Sequence, residues 1–153
     1  MFLVSDTLEV RQQMVRSFVP DEPFIALILA AADFEWTVRR AILALGKSPT
    51  KQLREVTFKY CSGLGKYQKC WKSEVGSRLQ RALDEIVPDW KHLKEAYELR
   101  HELVHGATGT TSTKFATERV DTMLAASEAV ARFAQAQMSP VYGRLRRRLK
   151  PRM

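Results

Sequence analysis

The fold is decided by the stretch PFIALILAAADFEWTVRRAILALG, residues 23–46. Apolar side chains recur along it at the three- and four-residue spacing of one helix face. The apolar positions are Phe24, Leu27, Ile28, Ala31, Val38, Ile42 and Leu45. Gly46 is a natural end for this helix. Glu35 falls on the same face, so its carboxylate requires a partner inside the protein.

On both sides of this helix the pattern remains helical, without strand alternation or an internal repeat. The expected helices cover residues 6–18, 24–45, 48–62, 66–74, 77–86, 89–105 and 114–137. Asp6 and Glu9 form a capping box for the first helix, and Ser48 followed by Pro49 is typical of an N-cap and first turn. The sequence therefore predicts an all-α bundle of about five to seven helices.

The chain has 153 residues, 45% of them hydrophobic and 27% charged, which is typical of one globular domain. We expect a helical domain over residues 1–138 and a basic tail over residues 139–153. The longest apolar run, Phe24 to Ala32, is about half of the roughly 20 residues that span a bilayer. Two cysteines are too few for a disulfide scaffold. A cytoplasmic protein without a membrane span is expected.

The net charge of +8 is unevenly distributed. Residues 47–72 carry seven cations against one anion, a net +6, and the tail carries another +6, which leaves −4 for the remainder. Clustered cations on an acidic body suit a polyanion such as RNA, DNA or an anionic lipid surface. The first basic segment also contains Phe58, Tyr60, Tyr67 and Trp71. Such aromatic side chains either stack on single-stranded bases or pack in the core.

Two motifs overlap in ELRHELVHG, residues 98–106, at the end of the sixth expected helix. The first is H-E-x-x-H, formed by His101, Glu102 and His105, in which two imidazoles bind zinc and the glutamate acts as a general base. A catalytic zinc needs a third protein ligand. The candidates are Glu118 and Glu128, because His92 lies too far upstream on the same helix. A zinc metalloprotease is therefore one alternative.

The second motif is the pair Arg100 and His105. At about 100° per residue, Arg100 falls in the middle of the apolar face of its helix. An arginine there must face a protein anion such as Glu35, or a cleft in which it meets a phosphate. His105 lies roughly 140° around the helix from Arg100 on the same count. Either the helix loosens near Gly106, or two copies of the chain share a composite site.

Residues 99–106 resemble the R-x4-H motif of the HEPN superfamily, whose pattern is hydrophobic-Arg-polar-x-x-hydrophobic-His. The long helix containing Phe34-Glu35-Trp36 and the long helix after the motif also fit that layout, so the resemblance spans roughly residues 6 to 137. It implies a HEPN-like helical bundle and metal-independent RNA cleavage in a toxin or antiviral defence system. Arg100 and His105 would be the catalytic residues. Supporting positions would be His101, Glu102 and Glu35.

In such an enzyme the ribose 2'-hydroxyl attacks the adjacent phosphate, and the products carry 2',3'-cyclic phosphate and 5'-hydroxyl ends. The resemblance implies no cofactor and a homodimer whose two motifs line one cleft. The basic segments would hold RNA through Lys66, Lys69, Arg146 and Arg147. Some toxin members carry a tyrosine where this chain has Ala107, which argues against an antitoxin that modifies that position. A regulatory or antitoxin partner of another kind stays open, as does a non-catalytic HEPN module that binds RNA or a nucleotide.

Overall fold

The computed structural model describes residues 7–106 and 111–143, and these residues contain helices and no β-strand. The helices are α1 (Leu8–Ser17), α2 (Pro23–Leu45), α3 (Thr50–Glu55), α4 (Leu64–Trp71), α5 (Ser77–Leu79), α6 (Leu83–Ile86), α7 (Trp90–His105) and α8 (Thr113–Ala136). A π-helical segment, Lys72–Gly76, joins α4 to α5, and a 3-10 turn follows α3 at Thr57–Tyr60. With α4, the π segment and α5 taken as one continuous run, the described residues form seven helices. The prediction of an all-α bundle is confirmed.

Helix α2 forms the centre of the bundle. It packs along α8, while α7 lies against both and α1 covers another side of α2. Most of the expected apolar face of α2 is buried, although Phe24 is exposed and Ile28 is half-buried. The Phe34 and Tyr97 rings meet edge to face with centroids 6.2 Å apart, which fixes α7 against α2.

Two glycines end the two helices that carry the candidate site. The amide of Gly46 donates to the Ile42 carbonyl oxygen at 2.7 Å, and that of Gly106 donates to the Glu102 carbonyl oxygen at 2.6 Å. A Cβ atom at either glycine would lie 2.5 Å from the same oxygen, so a larger residue would force the backbone to move. The predicted helix ends at Gly46 and Gly106 are confirmed.

The first and third helices begin differently from the expectation. The Oγ1 atom of Thr7 accepts a hydrogen bond from the Val10 amide and caps α1, whereas Asp6 lies outside the described residues. Ser48 does not cap α3, because its hydroxyl and its amide both donate to the Glu74 carboxylate, at 2.7 and 3.0 Å. The predicted helix to Ser62 is also interrupted, since α3 ends before Val56 and only a 3-10 turn follows.

The prediction of one helix over residues 77–86 is wrong. Helix α5 stops at Leu79 because Gln80 takes a left-handed conformation with φ 55°, and α6 restarts only at Leu83. The buried indole of Trp71 donates to the Arg81 carbonyl oxygen at 2.9 Å and holds the chain in this break. A surface concavity forms beside the break.

The packed chain continues past residue 138, where we placed the domain boundary. Ser139 and Val141 are buried, and Arg40 of α2 donates to the carbonyl oxygens of Val141 and Gly143. The tail residues Arg146 and Arg147 lie outside the described residues. Among the helices described, none has the length and apolar character to cross a membrane.

Candidate active site

Arg100 lies half-buried on α7, on the side of the helix that also buries Leu93, Ala96 and Leu99. Its Nε atom is shielded from water and finds no hydrogen-bond partner among the described residues. A buried N–H group without a partner costs free energy and therefore calls for an explanation. The prediction that Arg100 sits in the middle of an inward-facing surface is confirmed.

The expected anion beside Arg100 is Glu35. Its half-buried carboxylate hydrogen-bonds the Tyr97 hydroxyl and lies in the electrostatic field of Arg100 and Arg39. Burial raises the pKa of Glu35 above 4.5, and the positive charges of Arg100 and Arg39 offset this only in part. Arg39 and Arg100 thus lie near the single carboxylate of Glu35. We call these three residues and Tyr97 the Glu35 cluster, which carries an excess of positive charge.

The half-buried Arg39 side chain is held by hydrogen bonds to other parts of the protein. Its Nε donates to the Tyr67 hydroxyl at 2.5 Å, and a terminal nitrogen donates to the Cys61 carbonyl oxygen at 3.3 Å. Burial raises the pKa of Tyr67 to about 12, so the phenol keeps its proton at neutral pH. These bonds tie α2 to the start of α4, opposite α7.

Replacing Glu35 by glutamine is expected to raise the free energy of unfolding at neutral pH. The raised pKa means that the folded protein still holds the Glu35 proton at pH values where the unfolded chain has lost it. The stability that this proton contributes is fully present below the pKa of Glu35 in the unfolded chain. It is lost as the pH rises through the pKa of Glu35 in the folded protein. The gain from Glu35→Gln should therefore be larger near pH 7 than near pH 4 in paired thermal denaturation curves.

The control for this measurement is Glu118→Gln, which changes an exposed carboxylate on α8. It should give the same small difference at both pH values. A Glu35→Gln protein that is less stable than wild type near pH 7 would mean that the attraction of Arg39 and Arg100 outweighs the cost of burial.

A groove of about 340 Å³ opens beside Arg100. Gly63 and Leu64, at the start of α4, form one side, and Arg100, His101 and Glu102 of α7 form the other. We call this concavity the Arg100 groove. It brings together three of the residues singled out in the sequence, and Glu35 acts on Arg100 from α2.

His105 is not among the residues that line the Arg100 groove. It is exposed, and its ring lies beside that of His101 with centroids 4.8 Å apart. Helix α7 stays regular through His105, so the expected loosening near Gly106 is not found. Val104, the residue before His105, is 42% exposed. Within one chain, Arg100 and His105 therefore point to different surroundings.

The zinc alternative lacks a third ligand in the described part of the chain. No group of three or more His, Cys, Asp or Glu side chains there is arranged to hold a metal ion. Glu128 is paired with Arg132, and His92 is paired with Asp89 at the opposite end of α7. His101 and His105 are both exposed and lie one helical turn apart.

No protein family model, curated protein or solved structure matches this chain.

The basic segment divides into core and surface. Phe58, Tyr67 and Trp71 are buried, so the interpretation of these aromatics as base-stacking side chains is wrong. Tyr60 is 73% exposed and remains accessible. Lys66 and Lys69 are both exposed on α4.

Sequence reasoning missed Arg39 and Tyr97 as members of the cluster. Helical spacing contained the signal for both, because Arg39 follows Glu35 by four residues and Tyr97 precedes Arg100 by three. Tyr97 falls among the apolar positions of α7, and helical spacing alone assigns no partner to its hydroxyl. In the fold that hydroxyl connects α7 to Glu35 and to the Ala31 carbonyl oxygen at 3.4 Å.

Proposed function

We propose that this protein is a metal-independent endoribonuclease of the HEPN type, acting in a toxin or antiviral defence setting. It cleaves RNA by attack of the 2'-hydroxyl on the adjacent phosphate and leaves 2',3'-cyclic phosphate ends. The catalytic residues are Arg100 and His105, with His101, Glu102 and Glu35 in support.

The observation that supports this proposal best is the state of Arg100. A guanidinium is always charged, and here it is half-buried at the edge of a groove with an unpartnered Nε. Glu35 does not balance this charge alone, because the same carboxylate also lies in the field of Arg39. A phosphate group entering the groove would supply the missing anion and accept charge-assisted hydrogen bonds.

The chemistry needs a proton acceptor, a proton donor and a group that stabilises negative charge. His105 takes the proton from the 2'-hydroxyl, the 2'-oxygen forms a bond to phosphorus, and the bond from phosphorus to the 5'-oxygen breaks. His105, now protonated, gives that proton to the leaving 5'-oxygen. Arg100 stabilises the charge that develops on the phosphate oxygens.

A second copy of the chain completes the site. Helix α7 holds Arg100 and His105 on different faces, so His105 of one protomer serves the Arg100 groove of its partner. The residue next to His105 supports such contact, because Val104 is an apolar side chain that is 42% exposed. The proposed enzyme is thus a homodimer with composite sites.

The test is incubation of purified protein with single-stranded RNA and transfer RNA in the presence of EDTA, followed by analysis of the product ends. We expect cleavage that leaves cyclic phosphate and 5'-hydroxyl ends. Products with 5'-phosphate ends, or no cleavage by a folded dimer, would contradict the proposal. Cleavage that EDTA abolishes would contradict its metal-independent form.

One observation favours a second candidate, a non-catalytic HEPN module that binds RNA or a nucleotide. One chain forms the whole Arg100 groove, whereas its own His105 does not line that groove. Binding without cleavage, lost in an Arg100→Ala protein and retained in a His105→Ala protein, would select this candidate.

A further inference from the structure

Two further cavities lie along α4, and each shares lining residues with the next. A second cavity of about 300 Å³ adjoins the Arg100 groove, because both are lined by Leu64, Tyr97 and Glu98. A third cavity of about 450 Å³ adjoins the second at Gln68. The third cavity lies beside Gln80, where the chain is not helical between α5 and α6. We call the three together the α4 trough.

The two sides of the α4 trough differ in charge. On the α4 side, residues 63–72 contain lysines and no acidic residue, and Lys69 and Lys72 line the third cavity. Neither lysine has an ion-pair partner in the part of the chain that is described, whereas Arg81 across the cavity pairs with Glu85 at 3.6 Å. The acidic residues Asp84, Glu85, Glu98 and Glu102 all lie on the α6 and α7 side.

The middle cavity contains the aromatic surface. Trp90, at the first turn of α7, is half-buried and lines this cavity beside Lys94 and Tyr97. A flat ring at the side of a groove stacks on a nucleic-acid base only if the base is unpaired and turned outward. Carboxylates on the same side accept hydrogen bonds from base amino groups.

We propose that the α4 trough binds the nucleotides that flank the cleaved bond of single-stranded RNA. Arg100 binds the reacting phosphate, Trp90 stacks on a neighbouring base, and Lys69 and Lys72 bind phosphates farther along the strand. This inference rests on the proposed function and adds a substrate class, single-stranded rather than duplex RNA, and a path. Lys66, which we expected to contact RNA, does not line any of the three cavities.

The test uses a fluorescent, fully 2'-O-methylated single-stranded oligoribonucleotide, which lacks the attacking hydroxyl and so reports binding without cleavage. Its anisotropy is compared for wild type, Lys69→Gln with Lys72→Gln, and Lys47→Gln with Lys51→Gln. The two double variants remove the same charge from exposed positions of one basic segment. Only the first should weaken binding, by about tenfold, and should lower the slope of log affinity against log salt by about 1.4.

The stacking role is tested by Trp90→Leu, which keeps an apolar side chain against the core. We expect about tenfold weaker binding, whereas Tyr60→Leu, at an exposed aromatic away from the trough, should bind as wild type does. The same oligonucleotide annealed to its complement should bind more weakly than the single strand. Equal binding of the duplex, or equal losses in the two lysine pairs, would overturn the inference.

Cleavage of unmodified RNA by the same proteins separates the two proposals. If wild type cleaves and the Lys69 and Lys72 substitutions change neither binding nor cleavage, RNA does not bind in the α4 trough as proposed. The proposed ribonuclease activity is then still supported. If wild type binds the methylated strand through the trough and cleaves no RNA, the trough stands and the ribonuclease is wrong.

Discussion

Substitution of Arg100 by alanine is expected to slow RNA cleavage by about 10²–10³-fold, the usual cost of removing one group that stabilises charge in a transition state. The effect should fall on the rate of the chemical step more than on substrate binding, since the α4 trough supplies most contacts to the strand. Arg100→Lys should recover part of the rate, because it keeps the charge and loses the planar fork. Single-turnover cleavage assays measure both.

His105→Ala should be similarly damaging, because proton transfer by a positioned side chain contributes about 10²–10⁴-fold. Matched controls are Arg132→Ala and His92→Ala, which remove an exposed arginine on α8 and an exposed histidine at the other end of α7. Both controls should cleave at the wild-type rate. An Arg100→Ala protein that also does so would show that Arg100 is not a catalytic residue.

Mixing the two inactive variants tests the composite site. If His105 serves the groove of the partner, a heterodimer of the Arg100→Ala and His105→Ala chains carries one site with both residues intact. Random pairing then restores about a quarter of the wild-type sites, since about half of the dimers are heterodimers. If both residues act within one chain, the mixture stays inactive.

The largest effect on stability is expected from Asp33→Ala. Arg11 of α1 and Asp33 of α2 form an ion pair at 2.8 Å, with exposed fractions of 1% and 0%, and the Arg11 guanidinium lies 3.8 Å from the centroid of the Trp36 ring. Removing Asp33 breaks a buried ion pair and takes this carboxylate away from the Arg11 guanidinium, which costs about 3–5 kcal/mol. Urea denaturation should show this loss as a lower midpoint.

The control is another ion pair made by the same helix. Arg16 of α1 pairs with Asp121 of α8, and both side chains are half exposed. Asp121→Ala should therefore cost about 0–1 kcal/mol. The double variant Arg11→Met with Asp33→Leu should recover much of the loss, because apolar residues can replace a buried pair. Equal costs for Asp33→Ala and Asp121→Ala would show that the buried pair does not hold α1 in place.

The long helices were predictable because their signals are local. Apolar spacing places α2 and α7, the glycines at 46 and 106 end them, and the position of Glu35 on an apolar face indicates its buried charge. The breaks at Val56 and Gln80 were not predictable from spacing. They depend on tertiary contacts, such as the one from the Trp71 indole to the Arg81 carbonyl oxygen.

The candidate site also has one part that the sequence predicts and one part that depends on tertiary packing. The half-buried position of Arg100 follows from its place on one helix, so the sequence reveals it. The α4 trough combines residues 63–72, 76–85 and 90–102, which meet only after α4, α6 and α7 have packed together. Trp90, Lys72 and Arg81 have no common motif, and therefore no pattern in the sequence links them.

The regular end of α7 has a consequence for dosage. In the proposed homodimer, a chain that presents His105 away from its own Arg100 groove would be inactive alone, and each working site would need two chains. Below the dissociation constant of the dimer, the rate of RNA cleavage then rises with the square of the protein concentration. A cell that holds few copies of the protein would then show little RNA cleavage, and a twofold rise in protein concentration would raise the cleavage rate about fourfold.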